Sequence, residues 1–137
     1  MLSIILPSYN EEKMILTATE RVGAILKEAG IDYELLFVDD GSKDQTWAMI
    51  QQAAEQDAHV VGLHFSRNFG KEAAMFAGLE KARGDCCAVI DCDLQHPPAL
   101  IPKMYRMWES GAEVVDLINS ADIPPAGVTG HVLNIKA

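Results

Sequence analysis

Two aspartates one residue apart, Asp91 and Asp93, close a short apolar run, Cys86-Cys87-Ala88-Val89-Ile90. Gln95 follows two residues later, and Pro97-Pro98 fix a turn. Carboxylate oxygens in this spacing suit Mg²⁺ or Mn²⁺, and the Gln95 amide can add a neutral oxygen. Such an ion is usually shared with substrate phosphates rather than caged by protein alone. The plainer alternative is a strand end capped by solvated aspartates, and the D-x-D pattern alone does not decide between them.

Three other apolar runs end in polar residues with chemical uses. Leu2 to Leu6 is followed by Pro7, Ser8, Tyr9, Asn10 and Glu11. Tyr33 to Val38 runs into Asp39, Asp40 and Gly41, where one carboxylate could face a ribose hydroxyl and the other cap the turn. Val60 to Phe65 precedes Arg67, Asn68, Gly70 and Lys71, with a close basic pair in a loop that looks specifically turned.

These loops need elements to position them. The apolar runs read as strands buried on both faces. Met14, Ala18, Val22, Ile25, Leu26 and Ala29 recur at helical spacing, with Asn10 or Ser8 as expected cap and Gly30 as stop. Further helices are predicted from about Gln45, capped by Asp44, and from about Lys71 to Ala82. The latter carries Ala73, Ala74, Ala77 and Gly78 for close packing. A helix from Pro98 ends at Gly111, and Glu113-Val114-Val115-Asp116 starts a fifth strand. Four strand–helix alternations with short connections predict right-handed βαβ units, a parallel sheet and an α/β fold. All the unusual polar residues then fall at one sheet edge, where such folds bind ligands. There is no G-x-G-x-x-G and no G-K-[ST] to indicate a dinucleotide fold or a P-loop.

Composition narrows the partners. The 137 residues carry a net charge of −9 and are 49% hydrophobic. That excludes a disordered chain and argues against nucleic acid or an anionic membrane as direct partner. A phosphorylated ligand stays open, because a bound cation inverts the local sign. Cys86, Cys87 and Cys92 lack bridging spacing, so free thiols and a cytoplasmic location are expected. No run reaches the roughly 18 apolar residues of a membrane span.

Pro7-Ser8-Tyr9-Asn10-Glu11, Val38-Asp39-Asp40-Gly41-Ser42-x-Asp44-x-Thr46, Arg67-Asn68-Phe69-Gly70-Lys71-Glu72-Ala73-Ala74 and Asp91-x-Asp93-Leu94-Gln95-His96-Pro97-Pro98 together resemble the family-two glycosyltransferases. Within them the chain is most similar to the polyprenyl-phosphate sugar synthases, of bactoprenol glucosyltransferase and dolichol-phosphate mannose synthase type. The resemblance implies a GT-A fold, a mostly parallel Rossmann-like sandwich, and a nucleotide-diphosphate sugar donor with Mg²⁺ or Mn²⁺. It implies donor contacts from Pro7, Tyr9, Glu11, Val38, Asp40, Asp91, Cys92, Asp93 and Gln95. Metal ligation is implied for Asp91, Asp93 and Gln95, with Asp91 and Asp93 as the catalytic pair. Arg67 and Lys71 fall on the acceptor or diphosphate side. The acceptor is expected to be a lipid phosphate, which needs no general base because its second pKa of ~6 leaves it anionic. The resemblance implies a place in cell-envelope glycan synthesis, with the chain cytoplasmic or peripheral at the cytoplasmic membrane face.

The resemblance covers residues 1–116. Residues 117–137, with Pro124-Pro125 and Thr129-Gly130, read as a divergent tail unrelated to the family. Beyond Arg106 the sole Lys or Arg is Lys136, and Ala99 stands where relatives often carry an acid. The expectation is a truncated, donor-binding half with an open sheet edge near Val114 and Val115 and a tendency to self-associate. Two other classes compete: a non-catalytic nucleotide-sugar binder, and a phosphoacceptor domain built on Asp39, Asp40 and Asp91. The latter needs a late buried lysine, and only Lys136 is available.

Overall fold

The computed structural model describes residues 1–95, 97–111, 114–116 and 131–134. Strands β1 (Leu2–Ser8), β2 (Tyr33–Asp39), β3 (Val60–His64) and β4 (Cys86–Val89) alternate with helices α1 (Ile15–Glu28), α2 (Thr46–Gln56), α3 (Lys71–Lys81) and α4 (Leu100–Glu109). Two short strands follow, β5 (Val114–Asp116) and β6 (His131–Asn134). The sheet runs β3-β2-β1-β4-β6-β5, and every neighbouring pair is parallel.

The continuous apolar runs form strands because both faces of the sheet are covered. On one face Leu2, Ile4, Leu6, Leu35 and Phe37 pack under α1, α2 and α4. On the other, Ile5, Leu36 and Val38 pack under α3 through Ala74. The expected small residues bring α3 close: a Cβ added at Gly78 would stand 2.5 Å from Ile5 Cγ2. Cys86 and Cys87 face opposite sides of the sheet, and all three thiols are free and buried.

Two features differ from expectation. Helix α1 starts at Ile15 without a side-chain cap, so neither Asn10 nor Ser8 caps it. Its apolar face accounts for that: Ile15, Ala18, Val22 and Leu26 are fully buried. Each of its larger apolar side chains contributes roughly 1.5–3 kcal/mol on burial, against about 1 kcal/mol for a cap. The second difference is β6, which lies inside the stretch read as a divergent tail. It inserts between β4 and β5, so the backbone at Val114 and Val115 has a partner on one side.

Candidate functional site

Strand β1 is the switch point of the sheet. The chain leaves it outward to β2 and β3, then returns to its other side as β4. Ligands of open α/β sheets bind beyond the carboxyl ends of the strands at such a point. Here the flanking loops are Tyr9–Met14, after β1, and Ile90–Ala99, after β4. The Ile90 amide still donates to Ile5 O at 3.0 Å, so the ladder delivers Asp91 directly to the edge. Among the described residues each loop holds one non-glycine residue in the left-handed region, Asn10 (φ 53) and Leu94 (φ 56). Asn tolerates that conformation; Leu does not, and such residues cost about 1–3 kcal/mol and cluster at functional sites. No pattern in the sequence marks Leu94.

The loop after β1 is clasped to the loop after β2. The Asn10 amide donates to Ser42 Oγ at 2.9 Å, and the Lys43 amide donates to Asn10 Oδ1 at 2.9 Å. The Glu11 amide donates to Thr46 Oγ1 at 2.8 Å, and the Gln45 amide to Glu12 Oε2 at 3.1 Å. Asn10 is therefore engaged across the clasp rather than at α1. Asp44 stands one residue before the N-cap position of α2, Gln45, and accepts the Thr46 amide at 2.9 Å.

The adjacent aspartates separate by role. Asp39 is fully buried; it accepts the Ser42 amide at 3.0 Å and pairs with His64 Nδ1 at 2.7 Å. His64 in turn stacks on Trp47. Asp40, also buried, accepts the Phe69 amide at 2.8 Å, the Gly70 amide at 3.1 Å and Asn68 Nδ2 at 3.2 Å. Its carboxylate thus holds the loop that precedes α3. Gly41 makes this approach possible: its φ is 68°, and an added Cβ would lie 2.1 Å from the Arg67 carbonyl carbon.

The crevice itself is acidic. Burial first, then the charges of Asp93, Asp44 and Asp91, push the Glu11 carboxyl above its ordinary value. Two loops distant in sequence therefore bring Glu11, Asp91 and Asp93 within electrostatic reach. Lys71 Nζ meets Asp91 Oδ1 at 2.5 Å. Asp93 Oδ1 accepts the Gln95 amide at 3.3 Å, and the Gln95 side chain is exposed. Tyr9 is an exposed aromatic beside them at 41% accessibility.

Other predicted residues have different surroundings. Val38 is sealed in the core against α3, in register with the half-buried Pro7. Arg67 lies over the Phe69 ring, 4.7 Å from its centroid. Cys92 is buried in the core, where loss of solvent is the main reason its thiol is pushed up to about 12. It is a neutral packing residue at ordinary pH.

Among the described residues no group of three or more His, Cys, Asp or Glu could close around a metal ion. Asp91, Asp93 and the Gln95 amide form an open set, which leaves coordination positions for phosphate and water. This donor set fits a hard divalent ion held jointly with a ligand.

This sheet order, with its acidic crevice at the switch point, defines a GT-A glycosyltransferase fold. The mannosyltransferase PcManGT from Pyrobaculum calidifontis, solved with GDP-Man and Mn²⁺, superposes with a TM-score of 0.69 at 21% identity, over 88% of this chain and 36% of that one. S. aureus TarS in complex with UDP gives 0.63 at 21% identity, over 90% and 38%. The chain belongs to glycosyl transferase family 2, whose profile matches residues 3–129. It is 43% identical to the uncharacterised glycosyltransferase YkcC of Bacillus subtilis, over 82% of this chain and 35% of that protein. It is 42% identical to the prophage bactoprenol glucosyl transferase homolog of Escherichia coli, over 83% and 37%. A third relative, the undecaprenyl-phosphate 4-deoxy-4-formamido-L-arabinose transferase of Photorhabdus laumondii, is 40% identical over 82% and 35%. The chain thus spans little more than a third of the length of these relatives. No helix among the described residues is long and apolar enough to cross a membrane.

Proposed function

We propose that this chain binds a nucleotide-diphosphate sugar, with a UDP-sugar favoured, as the donor part of a transferase acting on a polyprenyl phosphate. The observation that carries this is the convergence, at the switch point of a family-two sheet, of the loop after β1 that bears Glu11 and the loop after β4 that bears Asp91 and Asp93. The names of the relatives support the lipid-phosphate acceptor. Asp91 and Asp93, with Gln95, are the residues to hold Mg²⁺ or Mn²⁺. When bound, that ion would neutralise the diphosphate and stabilise it as a leaving group.

The chain's own groups do the remaining work in this reading. Tyr9 offers an exposed ring at the crevice mouth for a flat base. The clasp holds that loop at a fixed distance from β2. Arg67 and Lys71 supply cations on the acceptor or diphosphate side. Two like charges about 4 Å apart at an effective dielectric near 20 repel by roughly 4 kcal/mol. Without compensation that slows transfer by about a thousandfold.

Titration calorimetry of a UDP-sugar with Mn²⁺, and with EDTA as control, tests the proposal. Binding is expected only with the metal, and Asp93→Ala is expected to abolish the metal-dependent part. Equal heats in EDTA would refute it. Transfer of labelled sugar to undecaprenyl phosphate separates a transferase from a nucleotide-sugar binder without turnover.

A further inference from the structure

Lys71 begins α3, directly after the Phe69 and Gly70 amides that Asp40 holds. Its backbone is thereby fixed, while its four-carbon stem can swing. The ammonium is spent on Asp91, 2.5 Å from Oδ1, and its side chain remains 55% exposed. Arg67, the other cation of this loop, is occupied differently, over the Phe69 ring. One of the two carboxylates assigned above to the ion therefore already holds a resident cation. A divalent ion ligated by the same carboxylate at about 2.0–2.1 Å would stand close to that ammonium, and the two positive charges repel. The ion and the ammonium compete for Asp91. Once displaced, the ammonium is left within a side chain's reach of the same crevice, where phosphate oxygens are the complementary charge.

We propose that Lys71 is a placeholder cation: it neutralises Asp91 while no ion is bound, yields that carboxylate to the ion, and then engages the phosphates that arrive with it. This rests on the reading that Asp91 and Asp93 hold the ion, and it adds a role that the D-x-D pattern does not contain. Lys71 acts here by binding and positioning.

Lysine-selective acylation of the whole chain, read peptide by peptide by mass spectrometry, tests the exchange without any variant. Lys71 labelling is expected to rise about threefold on adding Mg²⁺, the scale of losing a part-exposed ion pair, and to fall again on adding UDP. Exposed Lys103, on α4, serves as the unaffected control. In parallel, Lys71→Met is expected to bind Mn²⁺ alone about threefold more tightly and UDP in the presence of Mn²⁺ more weakly. If the ion binds but Lys71 labelling and Mn²⁺ affinity are indifferent, the placeholder is overturned while the metal reading stands. If Lys71→Met tightens both Mn²⁺ and UDP, the hand-over to phosphate is overturned. If neither protein binds Mn²⁺ at millimolar concentration, the metal reading falls and the placeholder falls with it.

Discussion

Glu34 and Glu11 sit at opposite ends of the same sheet and have opposite electrostatic fates. Glu34, near the start of β2, is buried and fully partnered. Ser3 Oγ donates to it at 2.6 Å, the Arg83 amide at 2.7 Å and Arg83 Nε at 3.1 Å. Burial works to raise its carboxyl, yet the hydrogen bonds and the guanidinium outweigh it and hold the group below its ordinary value. Glu11, beyond the end of β1, is raised by burial first and then by the acids around it, so it is pushed the other way. A carboxylate that serves the fold is surrounded by donors; one that faces a crevice is left among its own kind. Burial raises both carboxyls, and the donors around Glu34 against the acids around Glu11 are what set their shifts apart.

The comparison can be broken most forcefully at Glu34. Glu34→Ala strips Ser3 and the Arg83 amide of a buried charged acceptor and is expected to cost about 2–3 kcal/mol of stability in urea unfolding. Metal-dependent ligand binding by the folded fraction should be unchanged. At the other end, Gly41→Ala forces a Cβ onto the Arg67 backbone at a positive φ. It is expected to cost roughly 2 kcal/mol and to loosen the loop that Asp40 holds, seen as faster hydrogen exchange at Phe69 and Gly70.

The smallest and sharpest test uses pH. The folded-state pKa of Glu34 is lowered, so its stabilisation is present above the ordinary value of 4.5 and lost as pH falls below it. That of Glu11 is raised, so its favourable contribution is present below 4.5 and lost as pH climbs from there through the raised value. Glu34→Gln should therefore flatten the acid limb of the stability profile. Glu11→Gln should instead stabilise the metal-free chain at neutral pH by roughly 0.5 kcal/mol, the scale of a part-exposed charge contact. Saturating Mg²⁺ should erase most of that difference. Profiles of the same sign for both variants would end the contrast.

Much of this was legible in residues 1–111, because apolar runs buried on both faces, small residues on α3 and glycine stops are local signals. Tyr9, Glu11, Asp91 and Asp93 were legible as residues of one edge, since strand ends in a parallel sheet share it. What escaped depended on distant partners. Asn10 looks like a helix cap, but Ser42 and Lys43, 32 and 33 residues away, claim it instead. Asp40 is a donor contact by resemblance, and its hold on the loop at Asn68 to Gly70 has no local signal in the sequence. The Lys71–Asp91 pair spans 20 residues and two elements, with no periodicity to announce it. Strand β6 is a short apolar run in Pro- and Gly-punctuated sequence, and its place between β4 and β5 is a tertiary fact.

The position of β1 at the centre of the sheet carries a consequence for biosynthesis. Its register sets Leu2 against Tyr33 on one side and against Cys86 on the other. A ribosome adding roughly 5–20 residues per second needs about 3–11 s to pass from Tyr33, in the first of these partner strands, to Cys86 in β4. Throughout that interval a largely apolar strand has one side of its backbone unpaired. The nascent chain is then most adhesive along the strand that later borders the crevice, and it needs shielding there until Cys86–Val89 emerges from the exit tunnel.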